Sequence, residues 1–212
     1  MAFEQITQPG YLDLLVRRLH DDVPLTWLSQ ARELLEASIG PQSTLLDIGC
    51  ATGYAAKVFH DLRYHGVDIE EQYLEVARRY YAGQDRVSFE LRDLIREPLG
   101  RRMDIVILNA VLEHCPSLDP ALENILESTG KTLLLRTFLG DRQEIHTVRS
   151  PKPEFAESVR KFSNQYSFGD VFRTLSAHGF SGSIHRDRYS DSMPCYVDGG
   201  VRTFYFVKAV RS

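Results

Sequence analysis

Asp47, Asp68, Asp93 and Asn109 each follow closely on a short apolar or alternating run, and glycines at 49 and 53 follow the first of them. A carboxylate at such a tip can accept hydrogen bonds from a ribose diol, and Asp68, 21 residues beyond Asp47, suits that role. Glycine lacks a Cβ and tolerates positive φ, so a turn through Gly49 and Gly53 can bring bare backbone close to a ligand. Any one of the four polar residues would serve equally as a helix cap or turn residue. Their conjunction points to a nucleoside-type site. No Lys-Ser/Thr follows the glycines, which excludes a P-loop. The spacing Asp47-x-Gly49-x-x-x-Gly53, with Ala51 where a middle glycine could stand, also departs from the dinucleotide pattern G-x-G-x-x-G.

These residues need a scaffold that presents strand ends side by side. The hydrophobic pattern predicts strands at Thr44–Ile48, Tyr64–Val67, Val87–Leu91, Ile105–Leu108 and Lys131–Arg136. Helices are expected from near Gly53, over Glu71–Tyr81 and over Asp119–Glu127. Two amphipathic helices, 11–20 and 25–38, precede the first strand, and Gly40-Pro41 stops the second. After strand five the alternation lapses. A short helix over Glu154–Phe162 is expected there, then a helix over Phe168–His178. Two strands near Ser183–Tyr189 and Val201–Ala209 end the pattern, with only a loop between them. The expected fold class is α/β: a doubly wound, Rossmann-like, mostly parallel sheet with a C-terminal antiparallel hairpin and an N-terminal helical cap. The reading is of one domain over 1–212. It comprises a cap (1–40), a binding core (43–138), a substrate or lid insertion (139–166), and a last helix with the hairpin (167–212). In open sheets of this kind ligands bind beyond the carboxyl ends of the strands.

At this point the chain resembles the class I S-adenosylmethionine-dependent methyltransferases. The resemblance rests on Asp47-Ile48-Gly49-Cys50-Ala51-Thr52-Gly53, Gly66-Val67-Asp68-Ile69, Arg92-Asp93-Leu94 and Ile107-Leu108-Asn109-Ala110-Val111-Leu112-Glu113-His114. It implies S-adenosyl-L-methionine as cofactor and S-adenosyl-L-homocysteine as product. It further implies that the loop Gly49–Gly53, Cys50 and Ala51 included, passes beneath the methionine part, with Asp47 towards its amino end. Asp68 would hold the ribose hydroxyls, and Ile69 would lie on the adenine face. Asp93 would accept from the adenine amino group beside the Leu94 backbone. Asn109 and Ala110 would line the methionine and sulfonium end.

A base is useful only where the methyl acceptor loses a proton during transfer. His114, five residues past Asn109, is the first base candidate, because an imidazole near neutral pKa suits deprotonation of a hydroxyl. The alternative is a His that structures its loop by bonding a backbone carbonyl. His146, in the irregular segment, is the second candidate. Glu113-His114 with a distant His is too loose a set for a metal site, and none is expected.

Composition narrows the partners. The three cysteines fit a reducing cytosol better than a disulfide framework, and the expected location is cytoplasmic. No signal peptide or membrane span is expected. Net charge is −4, split into −8 over residues 1–135 and +4 over residues 136–212, and no Lys/Arg run exceeds two. That is no nucleic-acid footprint, although the basic C-terminal part would suit an anionic small molecule. The expected function is methylation of a small-molecule acceptor, at a hydroxyl oxygen. Methylation of RNA or protein, and a cofactor-binding module without turnover, are the alternatives.

Overall fold

The computed structural model describes residues 10–21, 24–94, 96–149, 160–191, 193–197 and 200–212. Two helices, α1 (Tyr11–His20) and α2 (Thr26–Leu35), lead into β1 (Thr44–Ile48). Then follow α3 (Ala55–Val58), β2 (Arg63–Asp68), α4 (Glu71–Tyr80), β3 (Val87–Leu91), β4 (Met103–Asn109), α5 (Asp119–Glu127) and β5 (Thr129–Gly140). The main sheet has the order β3-β2-β1-β4-β5-β12-β9, where β9 is Phe180–Arg186 and β12 is Phe204–Arg211. Its first five strands run parallel, and β12 runs antiparallel to both neighbours. This is the mostly parallel, Rossmann-like sheet with a C-terminal antiparallel pair that the sequence pattern called for.

The central strands are apolar on both faces because both faces are covered. Leu46, Ile48, Val106, Leu108, Leu133 and Leu135 are buried in one core with α5 and the last helix. Leu45, Tyr64, Ile105, Ile107 and Leu134 are buried in the other with α2 and α3. The strand order turns at β1 and β4, which lie side by side with Asp47 opposite Ile107. Their carboxyl ends therefore open the crevice in which sheets of this kind bind ligands.

Polar ties fasten the N-terminal helices to this frame. Gln30 on α2 clamps the end of β9: its amide donates to the Arg186 carbonyl at 2.5 Å and accepts from the Arg188 N–H at 2.9 Å. Lys57 Nζ donates to the Leu19 carbonyl at the end of α1, and Lys208 Nζ to Leu34 on α2.

The segment after β5 differs from the expectation. Residues 160–162, the end of the helix expected over Glu154–Phe162, form strand β7 (Arg160–Phe162), which pairs antiparallel with β6 (Thr147–Arg149). The rest of that expected helix lies outside the described residues. The short β8 (Tyr166–Ser167) then pairs with the end of β5 and leads into α6 (Phe168–Ala177). Ser167 caps α6, its hydroxyl accepting from the Asp170 N–H at 3.0 Å, and Gly179 at φ +76° ends it. The connection before β12, expected as a plain loop, carries a second small hairpin, β10 (Cys195–Val197) with β11 (Gly200–Arg202).

Candidate active site

Asp68, at the end of β2, organises the turn after β1. One carboxylate oxygen accepts the Ala51 N–H at 2.8 Å and the other accepts the Glu70 N–H at 3.0 Å. The glycine turn is thereby tied to the neighbouring strand tip. Gly49, Ala51 and Gly53 all take positive φ, of 72°, 49° and 76°. A Cβ on Gly49 would stand 2.4 Å from the Val111 side chain, and one on Gly53 2.6 Å from the Phe89 ring. Both glycines are therefore required by packing as well as by conformation. Ala51 adopts the same left-handed region, which costs an L-residue roughly 1–2 kcal/mol. Burial pushes the Asp68 carboxyl above its usual range, partly offset by its backbone donors.

Asp47 is buried beneath this turn. The Tyr64 phenol donates to its carboxylate at 2.5 Å. Desolvation outweighs that bond, helped by the Asp68 charge, and lifts the Asp47 carboxyl to about 7. Cys50 is buried between them, and burial pushes its thiol well up. Ile69, next to Asp68, is 66% exposed, an apolar surface at a polar strand tip. Tyr11 on α1 stacks edge-on against Tyr73 of α4 at 6.4 Å, which brings the first turn of α1 to the β2 side of the crevice. Asp93 pairs with Arg96 at 3.2 Å, while Leu94 is buried in the core.

The β4 tip continues the row. The Asn109 side-chain oxygen accepts from the Arg136 guanidinium at 3.3 Å, and Ala110 follows at φ +54°. Arg136 is itself held by Asp187, through its Nε at 3.0 Å and an Nη at 2.8 Å, and lies over the Phe204 ring at 3.8 Å. Both charges are buried. The guanidinium holds the Asp187 carboxyl below its usual range despite burial.

The single-turn helix Leu112–His114 comes next. The Phe162 carbonyl lies 3.0 Å from His114 Nδ1. A carbonyl only accepts, so that nitrogen carries the hydrogen and the basic lone pair falls on Nε2. Glu113 is fully buried. Its carboxylate accepts from the Thr137 hydroxyl at 2.9 Å, and desolvation lifts its pKa to about 7. Asn164 and Tyr166 bind this turn to the β6–β7 arm. The Tyr166 hydroxyl serves the Leu112 and Cys115 carbonyls at 3.0 and 3.1 Å, and the Asn164 amide donates to Cys115 at 2.8 Å. The Asn164 oxygen also accepts the His146 N–H at 3.0 Å, so His146 sits at the root of the arm, its ring 3.5 Å from Glu144.

The structure thus brings Asp47, Gly49, Cys50, Ala51, Gly53, Asp68 and Ile69 together on the β1–β2 side of the crevice. Asn109, Ala110 and His114 follow β4, whereas His146 is tied to this row through Asn164, which donates to the Cys115 carbonyl. Sequence reasoning missed Tyr64, Glu113, Arg136, Asn164 and Asp187 as parts of the site. For Arg136 the one available signal was a charge at the end of the apolar run Leu133–Leu135.

Comparison with known proteins bears on the fold that carries these residues. Residues 46–131 match the family model described as a methyltransferase domain. These residues are a methyltransferase domain. The match covers β1 through the start of β5 and so includes each of the strand tips described above. The chain is also 27% identical over 154 residues to a malonyl-[acyl-carrier protein] O-methyltransferase of Anoxybacillus flavithermus, covering 69% of this chain and 57% of that one. It is 32% identical over 139 residues to the protein of the same name from Priestia megaterium, covering 62% and 48%. The chain thus spans about half the length of the curated relatives it matches. Among solved structures, a glycopeptide N-methyltransferase complexed with S-adenosyl-L-methionine superposes with a TM-score of 0.62 at 15% identity, covering 88% and 94% of the two chains. Magnesium protoporphyrin IX methyltransferase from Synechocystis, with the same cofactor bound, gives 0.60 at 20% identity over 100% and 92%. At such identities the likeness is one of fold, and the fold is that of the class I methyltransferases. Among the described residues no helix is long and apolar enough to cross a membrane.

Proposed function

We propose that the chain transfers a methyl group from S-adenosyl-L-methionine to an oxygen of a small-molecule acceptor. The observation that carries this reading is the Asp68 carboxylate, tied to the Ala51 amide of the glycine turn and flanked by the exposed Ile69. An acidic acceptor of hydrogen bonds beside an apolar face suits a ribose diol with a purine next to it. In this reading Asp93 takes the purine's amino group and Asp47 the ammonium of the methionine part. When bound, the sulfonium supplies a methyl already activated for in-line displacement. What remains for the chain is to bind and orient both partners, which can remove about 7–11 kcal/mol of barrier in ideal cases.

The acceptor lies, in this reading, against the β4–β5 ends and the described residues around Asn164, with α1 and α2 on the cofactor side. His114 Nε2 takes the proton of a hydroxyl acceptor. His146, at the root of the arm, is the other base candidate. A carboxylate acceptor is the second reading, favoured by the malonyl O-methyltransferase names of the curated relatives. It loses no proton at neutral pH, so a base contributes nothing to its methylation.

Titration of the chain with the cofactor, followed by incubation of metabolite extracts with cofactor labelled in its methyl group, tests the reading. Labelled small-molecule products support it. Labelled RNA or protein alone, or binding without any product, contradicts it.

A further inference from the structure

The pairing of Arg136 with Asn109 bears on which acceptor atom this site takes. Arginine offers only N–H donors, so the Asn109 atom at 3.3 Å from its guanidinium must be the amide oxygen. An amide carries its oxygen and its NH2 on opposite arms, so fixing the first aims the second away from Arg136. Asn109 is half-buried, and among the described residues its side chain makes no other hydrogen bond. Its NH2 is therefore the group that Asn109 presents at the β4 tip.

Arg136 is not free to turn. Both of its bonds to Asp187 are buried, Asp187 also accepts the Ser190 hydroxyl at 2.5 Å and its N–H at 3.1 Å, and the Phe204 ring covers the guanidinium. The bidentate pair fixes the guanidinium plane and with it the Asn109 amide. Asp187 also neutralises the Arg136 charge, so the β4 tip meets a ligand with a hydrogen-bond donor and not with a bare cation.

We infer that Asn109, oriented by Arg136 and Asp187, selects an acceptor whose reacting atom is a lone-pair oxygen and disfavours a protonated or N–H-bearing amine. This rests on the methyltransferase reading above and narrows it. An amine nucleophile needs an acceptor at this tip to hold its N–H and aim its lone pair, and the Asn109 oxygen is turned towards Arg136, which leaves the NH2 donor on the other arm. A hydroxyl or carboxylate oxygen matches the NH2 directly. Arg136 and Asp187 are positioning residues here, and Asn109 is the specificity-determining one.

The test uses the full chain, methyl-labelled cofactor, and sets of carboxylates, alcohols or phenols, and amines matched in carbon skeleton. Wild type is expected to label the oxygen acceptors at least tenfold faster than their amine counterparts, and the two oxygen sets tell carboxylate from hydroxyl. Asn109→Asp keeps an oxygen for Arg136 and loses the NH2. It is expected to fold, and with cofactor held saturating for each variant the oxygen-to-amine ratio drops at least tenfold. The double variant Arg136→Gln/Asp187→Asn removes both charges together and leaves the Asn109 amide free to flip. Its oxygen-to-amine ratio falls too, whereas a purely structural loss lowers both rates alike; should it fail to fold, Asn109→Asp carries the test. A readout independent of turnover is the side-chain NH2 resonance pair of Asn109, assigned by its loss in Asn109→Asp. With S-adenosyl-L-homocysteine present, that pair should shift on adding an oxygen acceptor and not on adding its amine partner. Amine labelling at the faster rate, or an unchanged ratio in Asn109→Asp, overturns the inference and leaves methyl transfer standing. Absence of cofactor binding removes both.

Discussion

At the scale of single residues, the strand-tip side chains differ in what they can be asked to do. Asp68 already holds two backbone amides, and under the proposed reading a ribose diol adds to that work. Asp68→Ala is expected to weaken cofactor binding at least a hundredfold by calorimetry, because it removes the diol's partner and loosens the turn together. His114→Ala separates the two readings of the acceptor. Turnover should fall at least a hundredfold at unchanged cofactor affinity if the acceptor is a hydroxyl, and hold within a few-fold if it is a carboxylate. Ala51 sits at φ 49°, where glycine carries no penalty. Ala51→Gly should stabilise the fold by about 1 kcal/mol in denaturant titration, the left-handed penalty outweighing the added freedom of the unfolded chain. The motif glycine missing from the sequence was thus a legible departure, and its strain became visible only with the backbone.

Elements were legible where periodicity is strong. The bounds of β1, β3, α1 and α5 agree with the sequence reading residue for residue, because each is a clean apolar alternation or helical repeat bounded by turn residues. What escaped are the short hairpins β6–β7 and β10–β11, whose strands of three residues are too brief for a period to show. The Arg136–Asp187 pair escaped for a different reason. Arg186-Asp187-Arg188 reads as a solvated charge run, and its middle residue is buried only because β9 delivers it to an arginine 51 positions earlier. That pair joins β5 to the β9 end, across β12. Asp187→Ala leaves Arg136 buried and uncompensated, and should cost about 3–5 kcal/mol in chemical unfolding. A loss within 0.5 kcal/mol would contradict the burial described. Tyr166→Phe frees two carbonyls at the Leu112–Cys115 turn. It should cost roughly 1–3 kcal/mol, seen in the same measurement.

For the molecule as a whole, two buried carboxyls set a pH dependence. Asp47 and Glu113 both reach about 7 in the fold, from ordinary values of 3.8 and 4.5. The folded chain therefore keeps protons that the unfolded chain releases as pH rises above about 4. The contribution of these groups to stability is full below the unfolded pKa values and is lost as pH rises through 7. Unfolding free energy is expected to decline between pH 5 and pH 8, and Asp47→Asn with Glu113→Gln should flatten that slope. A slope of equal size in the double variant assigns it to other groups. A cofactor ammonium beside Asp47 acts the other way, lowering its pKa, so binding should tighten as pH rises through 7 and release a proton. Bound cofactor at a hundred times its dissociation constant adds about 2.7 kcal/mol. For a chain of this size that raises Tm by roughly 5–11 °C.

The claim beneath all of this is that the glycine turn after β1 and the carboxylate of Asp68 hold the adenosyl part of the cofactor. Calorimetric titration of the full chain with S-adenosyl-L-methionine, beside the Asp68→Ala variant, tests it most directly. One cofactor per chain, with affinity lost at least a hundredfold in the folded variant, is the expected result. Wild-type protein that takes up none, or a variant that binds as tightly as wild type, would contradict it.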